Sequence, residues 1–207
     1  IFLSFIHLFK FDLQINSLVV SLVNVIFLLI IAIKVTSLAL ILSNGNKRIS
    51  YFLGGLIFFQ YPLIFWSLRG YEVGIISLLL ILIIEQIVKF DPSFVKVDTS
   101  KILKIYILIS VGILIRIDFL VILLGVSSYF FLFKVSSSKE FFLFIKYNLF
   151  VGFVIFFIFL FQYFYYGDFL PNTYYLKTGG FALIEKLPRG VLSSFNLLPL
   201  LIFIFSL

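Results

Sequence analysis

The chain has 207 residues, of which 63% are hydrophobic, 20% aromatic and 12% charged. Soluble domains carry about 25% charged residues and are roughly half apolar, so this composition excludes a water-soluble globular fold and a disordered chain. The absence of Cys excludes a disulfide-stapled secreted domain and Cys-ligated metals within this sequence. The net charge of +7 comes from short basic segments between apolar runs, without the basic stripe of a nucleic-acid-binding module. We therefore predict an all-α, polytopic transmembrane helix bundle that binds membrane lipid and no nucleic acid.

The apolar runs predict the order of the helices. A membrane-spanning helix needs about 20 apolar residues, and fewer where a bundle shields its ends. The first run contains Lys34 and is overlong, so we expect the helix to tilt or end early while the Lys34 side chain snorkels to the interface. Six to seven spans of one transmembrane domain are predicted, with an outer loop over 165–195: residues 15–42, 50–67, 73–88, 102–115, 117–133, 141–164 and 196–207.

The ends of the chain suggest a piece of a longer protein. The sequence contains no Met, and it starts and stops within apolar runs. We interpret it as an internal fragment. Its single histidine, His7, has no acidic or Cys partner nearby in sequence, so we predict an interfacial His rather than a metal ligand or general base.

Basic residues in the short loops predict the orientation of the helices. The alternate loops contain Arg69, Arg116 and three basic residues spread over the longer 165–195 segment. These alternate loops are predicted to face the periplasm, the cell exterior or a lumen. The cytoplasmic loops are predicted to be those that contain Lys47, Arg48, Lys89, Lys96, Lys101, Lys104, Lys134 and Lys139.

Two polar turns on the predicted outer face are candidate sites, because ionisable groups near hydrocarbon usually pair, line a wet cavity or act on a substrate. Glu72 follows Arg69 across a glycine. It either forms a local ion pair at the start of the next helix or accepts hydrogen bonds from a polar ligand. Arg116 and Asp118 are either the polar tip of a helical hairpin or a phosphate-binding guanidinium with a carboxylate that orients it or binds a sugar hydroxyl.

A third polar segment runs from Tyr163 to Lys177 and combines aromatic residues with turn signals. An interfacial aromatic belt would explain its tyrosines. It would not explain Asp168 and Asn172, which lie among them. Tyrosine faces beside Asp and Asn side chains also suit carbohydrate, so we favour a binding role over a belt.

The three segments, in this order and spacing, resemble one family. The Gly-Tyr-Glu sequence at 70–72 resembles the Gly-Leu-Glu element of bacterial GT-C membrane glycosyltransferases, and Arg-Ile-Asp at 116–118 resembles their Arg-Pro-Asp turn. The most specific match is residues 166–177, which resemble the Gly-Asp-x-Leu-Pro-Asn-Thr-Tyr-Tyr-Ala-Lys signature of arabinofuranosyltransferase-like and mannosyltransferase-like members. The resemblance covers nearly the whole sequence. It departs at Arg69 and Tyr71 in the first motif, at Ile117 in the second and at Leu176 in the third. Ile117 loosens a turn that Pro would pre-set.

The resemblance implies a GT-C-like fold and an enzyme of the bacterial cytoplasmic (inner) membrane. Such enzymes move a sugar from a polyprenyl-phosphate carrier to an acceptor glycan, lipid or protein on the outer face. Their catalytic acidic pair lies in a first outer loop, which would precede Ile1, so the fragment alone is expected to be inactive. No cofactor is implied, and dependence on a divalent metal stays open. The residues that would line the outer cavity are Glu72, Arg116, Asp118, Asp168, Asn172, Tyr174, Tyr175 and Lys177.

Two other classes compete with the glycosyltransferase. A multi-span transporter or flippase of a polar or lipid-linked substrate would use Glu72, Arg116 and Asp118 to line its path. Transporters place such groups near the bilayer midplane, whereas these residues are predicted at outer turns. A structural membrane subunit would leave the polar segment after Tyr163 unexplained.

Overall fold

The structure, a computed structural model, describes residues 13–69, 72–89, 99–133, 135 and 137–167. His7, the signature residues from 168 onward and the predicted span 196–207 lie outside these residues. The described part is helical and contains no strand. Its helices are α1 (Leu13–Leu42), α2 (Lys47–Leu56), α3 (Tyr61–Leu68), α4 (Val73–Val88), α5 (Thr99–Ile115), α6 (Leu120–Phe133) and α7 (Ser138–Tyr166), with 3-10 turns at Ile57–Phe59 and Ile117–Phe119.

Two described helices are long and apolar enough to cross a membrane: Ile15–Leu42 and Ser138–Tyr165. A third span is formed if Lys47–Phe59 and Tyr61–Leu68, which meet at a bend of 53°, count as one. The segments Val73–Val88 and Ile117–Phe133 are apolar but shorter. The all-helical, membrane-compatible class is thus confirmed for the described residues, whereas the six to seven spans stay a prediction.

The predicted uninterrupted span over 50–67 is bent, and the break lies at Gln60. Its backbone leaves the helical region (φ −78°, ψ 81°), and Pro62 follows within the first turn of α3. Proline has no N–H to donate, and its ring clashes with the carbonyl four residues earlier, so a helix cannot run straight through this position. Proline is tolerated in the first turn of a new helix, and α3 starts there.

The chain divides into two compact units, residues 1–155 and 156–207, with the boundary inside α7. In the first unit, α1 and α4 run side by side in the same direction, because Asn24 lies against Gly74 and Lys34 lies against Glu85. The helix α5 packs on α4 and begins beside its end, where Lys101 Nζ donates to the carbonyl of Lys89 at 3.4 Å. It therefore runs antiparallel to α4.

The core of this unit lies along α5. The side chains of Ile102, Ile105, Tyr106 and Ile109 are fully buried, at the spacing of one helix face. Other helices expose large apolar side chains, such as Leu22, Val121 and Phe142, each more than half exposed. A large exposed apolar surface favours aggregation in water, whereas it is the surface expected of helices that face lipid.

Candidate functional site

In the turn between α3 and α4, no described residue forms an ion pair with Glu72. Glu72 is the residue before α4, and its carbonyl accepts from the N–H of Ile76 at 3.0 Å, but its carboxylate makes no capping hydrogen bond. The guanidinium of Arg69 lies over the Phe65 ring, 4.2 Å from its centroid. The local Arg69–Glu72 ion pair, one of the two interpretations of this turn, is not found among the described contacts. The half-buried Glu72 carboxylate therefore keeps its capacity to accept hydrogen bonds from a ligand.

The turn between α5 and α6 holds an exposed ion pair. Arg116 is extended (φ −145°, ψ 127°), and its Nη2 lies 2.6 Å from Asp118 Oδ2. The two side chains are 44% and 71% exposed. Exposed pairs of this kind contribute about 0–1 kcal/mol, so fold stability does not require the interaction.

Buried packing fixes the position of this turn. Phe119 is 4% exposed, and its ring lies against Gly112, where no side chain interferes. The N–H of Phe119 donates to the carbonyl of Arg116 at 3.0 Å, and the N–H of Arg116 donates to the carbonyl of Gly112 at 2.9 Å. The charged pair thus stands on a rigid base, as a binding group must.

The structure brings the two turns to the same end of the helices, because α5 is antiparallel to α4. It does not bring the side chains into contact: within the described residues, no hydrogen bond or ion pair joins Glu72 to Arg116 or Asp118. Five predicted site residues lie outside the described ranges: Asp168, Asn172, Tyr174, Tyr175 and Lys177.

The start of the third segment is described within the second unit. The helix α7 extends through Tyr166 and is followed by Gly167 at φ 73°, a left-handed conformation that suits glycine. The Phe161 and Tyr165 rings stack with centroids 5.5 Å apart, and Tyr165 is 69% exposed. These exposed rings are compatible with both the aromatic belt and the carbohydrate-binding interpretation.

A buried polar layer beneath the Glu72 turn was missed by sequence reasoning. Ser67 is fully buried, and its Oγ has no hydrogen-bond partner among the described residues. Asn24 is 1% exposed and donates to the carbonyl of Val20 at 3.0 Å. Both face Gly74, where a Cβ would lie 2.6 Å from Asn24 Oδ1 and 3.2 Å from Ser67 Oγ. The sequence did contain a signal for this layer: Asn24 lies within an apolar run, and a polar group is costly in hydrocarbon unless it has a partner.

Sequence reasoning also missed a buried carboxylate at the opposite end of α4. Glu85 is 3% exposed, and its Oε2 lies 3.0 Å from Lys34 Nζ while its Oε1 lies 2.7 Å from Lys89 Nζ. Of the two expectations for α1, an early end is wrong, because α1 continues to Leu42, and its tilt stays a prediction. The partly exposed Lys34 side chain pairs with Glu85. The available signal was a lone carboxylate in an apolar run with a lysine four residues later.

A ring of hydrogen bonds joins α5, α6 and α7. Asn148 Nδ2 donates to the buried Tyr106 hydroxyl at 2.9 Å, and Ser127 Oγ donates to Asn148 Oδ1 at 2.7 Å. The Tyr106 and Ser127 hydroxyls lie 3.5 Å apart and close the ring. Beside it is a groove of about 580 Å³, lined mainly by aromatic and aliphatic side chains such as Phe131 and Phe144. Because the three groups satisfy one another, the ring is suited to holding helices together rather than to catalysis.

No cluster of three or more His, Cys, Asp or Glu side chains that could hold a metal ion occurs in the described part of the chain. The prediction that the protein needs no cofactor stays a prediction. No family model, curated protein or solved structure matches this chain. The resemblance to the GT-C glycosyltransferases therefore rests on its sequence motifs alone.

Proposed function

We propose that this chain is part of a polytopic inner-membrane glycosyltransferase that moves a sugar from a polyprenyl-phosphate carrier to an acceptor glycan, lipid or protein on the outer face. The observation that carries the proposal is the exposed Arg116–Asp118 pair on a buried base. It lies at the same end of the helices as the Glu72 carboxylate, which forms no ion pair with the described residues. An arginine fork held by a carboxylate is a suitable group for a lipid phosphate.

The proposed reaction is a direct displacement at the anomeric carbon. An acceptor oxygen attacks that carbon while an acidic residue upstream of Ile1 takes the acceptor proton. The bond from the anomeric carbon to the phosphate oxygen breaks with inversion, and its electron pair stays on the phosphate. Arg116 then stabilises the charge on the leaving phosphate, with Lys177 as a second cation. Sugar hydroxyls bind to Glu72, Asp118 and the residues of the 168–175 segment.

The test is turnover of a polyprenyl-phosphate sugar by the full-length protein that contains this sequence. Removing one group that stabilises developing charge typically lowers turnover by about 10²–10³-fold, and we expect this for Arg116→Ala. Arg69→Ala is the matched control, because it removes the same charge at the same end but lies over Phe65 rather than beside a carboxylate. Equal turnover of the two variants would show that Arg116 does not stabilise the leaving phosphate.

The number and orientation of the spans belong to the same proposal. The sequence has no Cys, so single cysteines can be introduced without background labelling from this chain. We expect a membrane-impermeant maleimide to label Ile117→Cys in intact cells and Asn44→Cys only after permeabilisation. The opposite pattern would invert the topology and place Arg116 in the cytoplasm.

A transporter is the second candidate, and one observation favours it. The Glu85 carboxylate is buried within a helix bundle, and intramembrane ionisable groups often lie on transport paths. However, Glu85 is one turn from the end of α4 and is paired with two lysines. Uptake or counterflow of a sugar phosphate by reconstituted protein, without any transferase product, would favour this class.

A further inference from the structure

The lysines that flank Glu85 form a second charged site, at the end of α4 opposite to the Glu72 turn. The carboxylate neutralises one of the two ammonium charges, so Lys34, Glu85 and Lys89 together keep one positive charge. Lys34 lies 3.0 and 3.4 Å from the two carboxylate oxygens, and Lys89 lies 2.7 Å from one of them. Each ammonium has three N–H donors, so donors remain after these contacts.

Both lysine side chains are partly exposed, although their ammonium groups contact a buried carboxylate. Glu85 is 3% exposed, whereas the side chains of Lys34 and Lys89 are 34% and 45% exposed. The buried carboxylate therefore anchors two flexible side chains from different helices and leaves their outer sides accessible. Ile33 is 67% exposed, whereas Ile31 is 1% exposed, so Lys34 lies on α1 next to the border between its packed and its exposed face.

The depth of the cluster matches a layer of lipid headgroups. Seventeen helical steps separate Glu72 from Lys89, which is about 25 Å along the helix axis. The hydrocarbon core of a bilayer is about 30 Å thick. If the Glu72 turn lies at one membrane surface, the lysine cluster lies near the other, where phosphates of lipids are the abundant anions.

We propose that Lys34 and Lys89 bind a phosphate group between them, presented by an anionic lipid headgroup or by a soluble phosphate. Glu85 acts as the positioning residue, since it holds the two ammonium groups on one carboxylate. Lys101 Nζ, 3.4 Å from the Lys89 carbonyl, holds the start of α5 beside the site. The site is independent of the proposed glycosyltransferase, because it lies at the opposite end of α4.

Native mass spectrometry of the purified protein in detergent tests the site, with phosphatidylglycerol and phosphatidylcholine as the lipid probes. The neutral variant combines Lys34→Gln, Glu85→Gln and Lys89→Gln and lowers the net charge by one. Lys104→Gln is the matched control, because it lowers the net charge equally at an exposed lysine of the same end. We expect selective binding of phosphatidylglycerol that is about fivefold weaker in the neutral variant and unchanged in the control.

A competition with inorganic phosphate distinguishes the two sources. Displacement of phosphatidylglycerol by millimolar phosphate supports a site for soluble phosphate, and retention of the lipid supports a headgroup site. Lys89→Gln, which keeps the Lys34–Glu85 pair, repeats the test if the triple variant does not fold. Equal binding of both lipids by the unchanged protein, or equal weakening by Lys104→Gln, would overturn the proposal in favour of diffuse charge attraction.

Discussion

Replacing Gly112 by alanine is expected to displace the turn that carries Arg116 and Asp118. A Cβ at Gly112 would lie 2.7 Å from Phe119 Cγ and closer still to two further atoms of the ring. Ordinary van der Waals contact begins near 3.4 Å, so the base of the ring must retreat by about 0.7 Å. Rotation of the ring about its own axis does not move Cγ, so the backbone of the turn has to shift.

The expected cost is that of overpacking a buried contact, about 1–3 kcal/mol. Phe119 is 4% exposed, so its ring has no nearby open space into which it can swing. For a chain of this length, each kcal/mol corresponds to a shift in melting temperature of about 2–4 °C. We therefore expect Gly112→Ala to lower the melting temperature in detergent by roughly 2–12 °C.

Gly125→Ala is the matched control for this prediction. Gly125 is an exposed position within α6, and a Cβ there would meet no atom within 4 Å. The substitution should leave the melting temperature unchanged or raise it slightly, because alanine favours a helix. If the Gly112 and Gly125 variants melt at the same temperature, the Gly112–Phe119 contact does not hold the turn, and the rigid base argued for Arg116 is refuted.

Two further predictions concern the buried polar groups. Glu85→Ala removes the shared partner of two partly exposed lysines and should cost about 1–3 kcal/mol, and Glu85→Gln, which also removes the charge but can still accept a hydrogen bond, should cost less. Unchanged melting temperatures in both variants would contradict the ion pairing. Asn148→Leu leaves the Tyr106 and Ser127 hydroxyls without their shared partner and should cost about 1–3 kcal/mol, measured by thermal unfolding in detergent. Ser128→Ala, a neighbour outside the hydrogen-bond ring, should have no such effect, and a similar loss in both variants would show that the ring is not stabilising.

The sequence predicted the helix boundaries well where charge bordered an apolar run. The predicted segment 73–88 has the bounds of the helix α4, because Glu72 and Lys89 flank an apolar stretch that contains one carboxylate. That this helix crosses the membrane stays a prediction. The span 50–67 was predicted without its bend, although Pro62 carried the signal for one. Whether a helix is long enough to cross the membrane was less predictable than its position along the chain. A short apolar helix has the same composition as a helix that spans the membrane.

The candidate site was only partly predictable. The polar turns around Glu72 and Arg116 follow from local composition, but the choice between a local ion pair and a free carboxylate at Glu72 does not. Arg69 has two candidate partners nearby in sequence, the Phe65 ring and the Glu72 carboxylate, and its guanidinium lies over the ring. Local sequence cannot decide which partner Arg69 takes, because that choice depends on how the neighbouring side chains pack.

The sequence by itself determined that this protein is a bundle of apolar helices suited to a membrane, with polar turns between them. It did so because apolar length and the charge at helix ends are local properties of the chain. Only the tertiary structure decided which buried polar groups meet: Lys34 with Glu85, 51 residues apart, and Tyr106 with Asn148, 42 residues apart. Such pairs depend on the register of packed helices, which is set by close contacts between distant segments, such as Gly74 against Asn24, and is not encoded in any single segment.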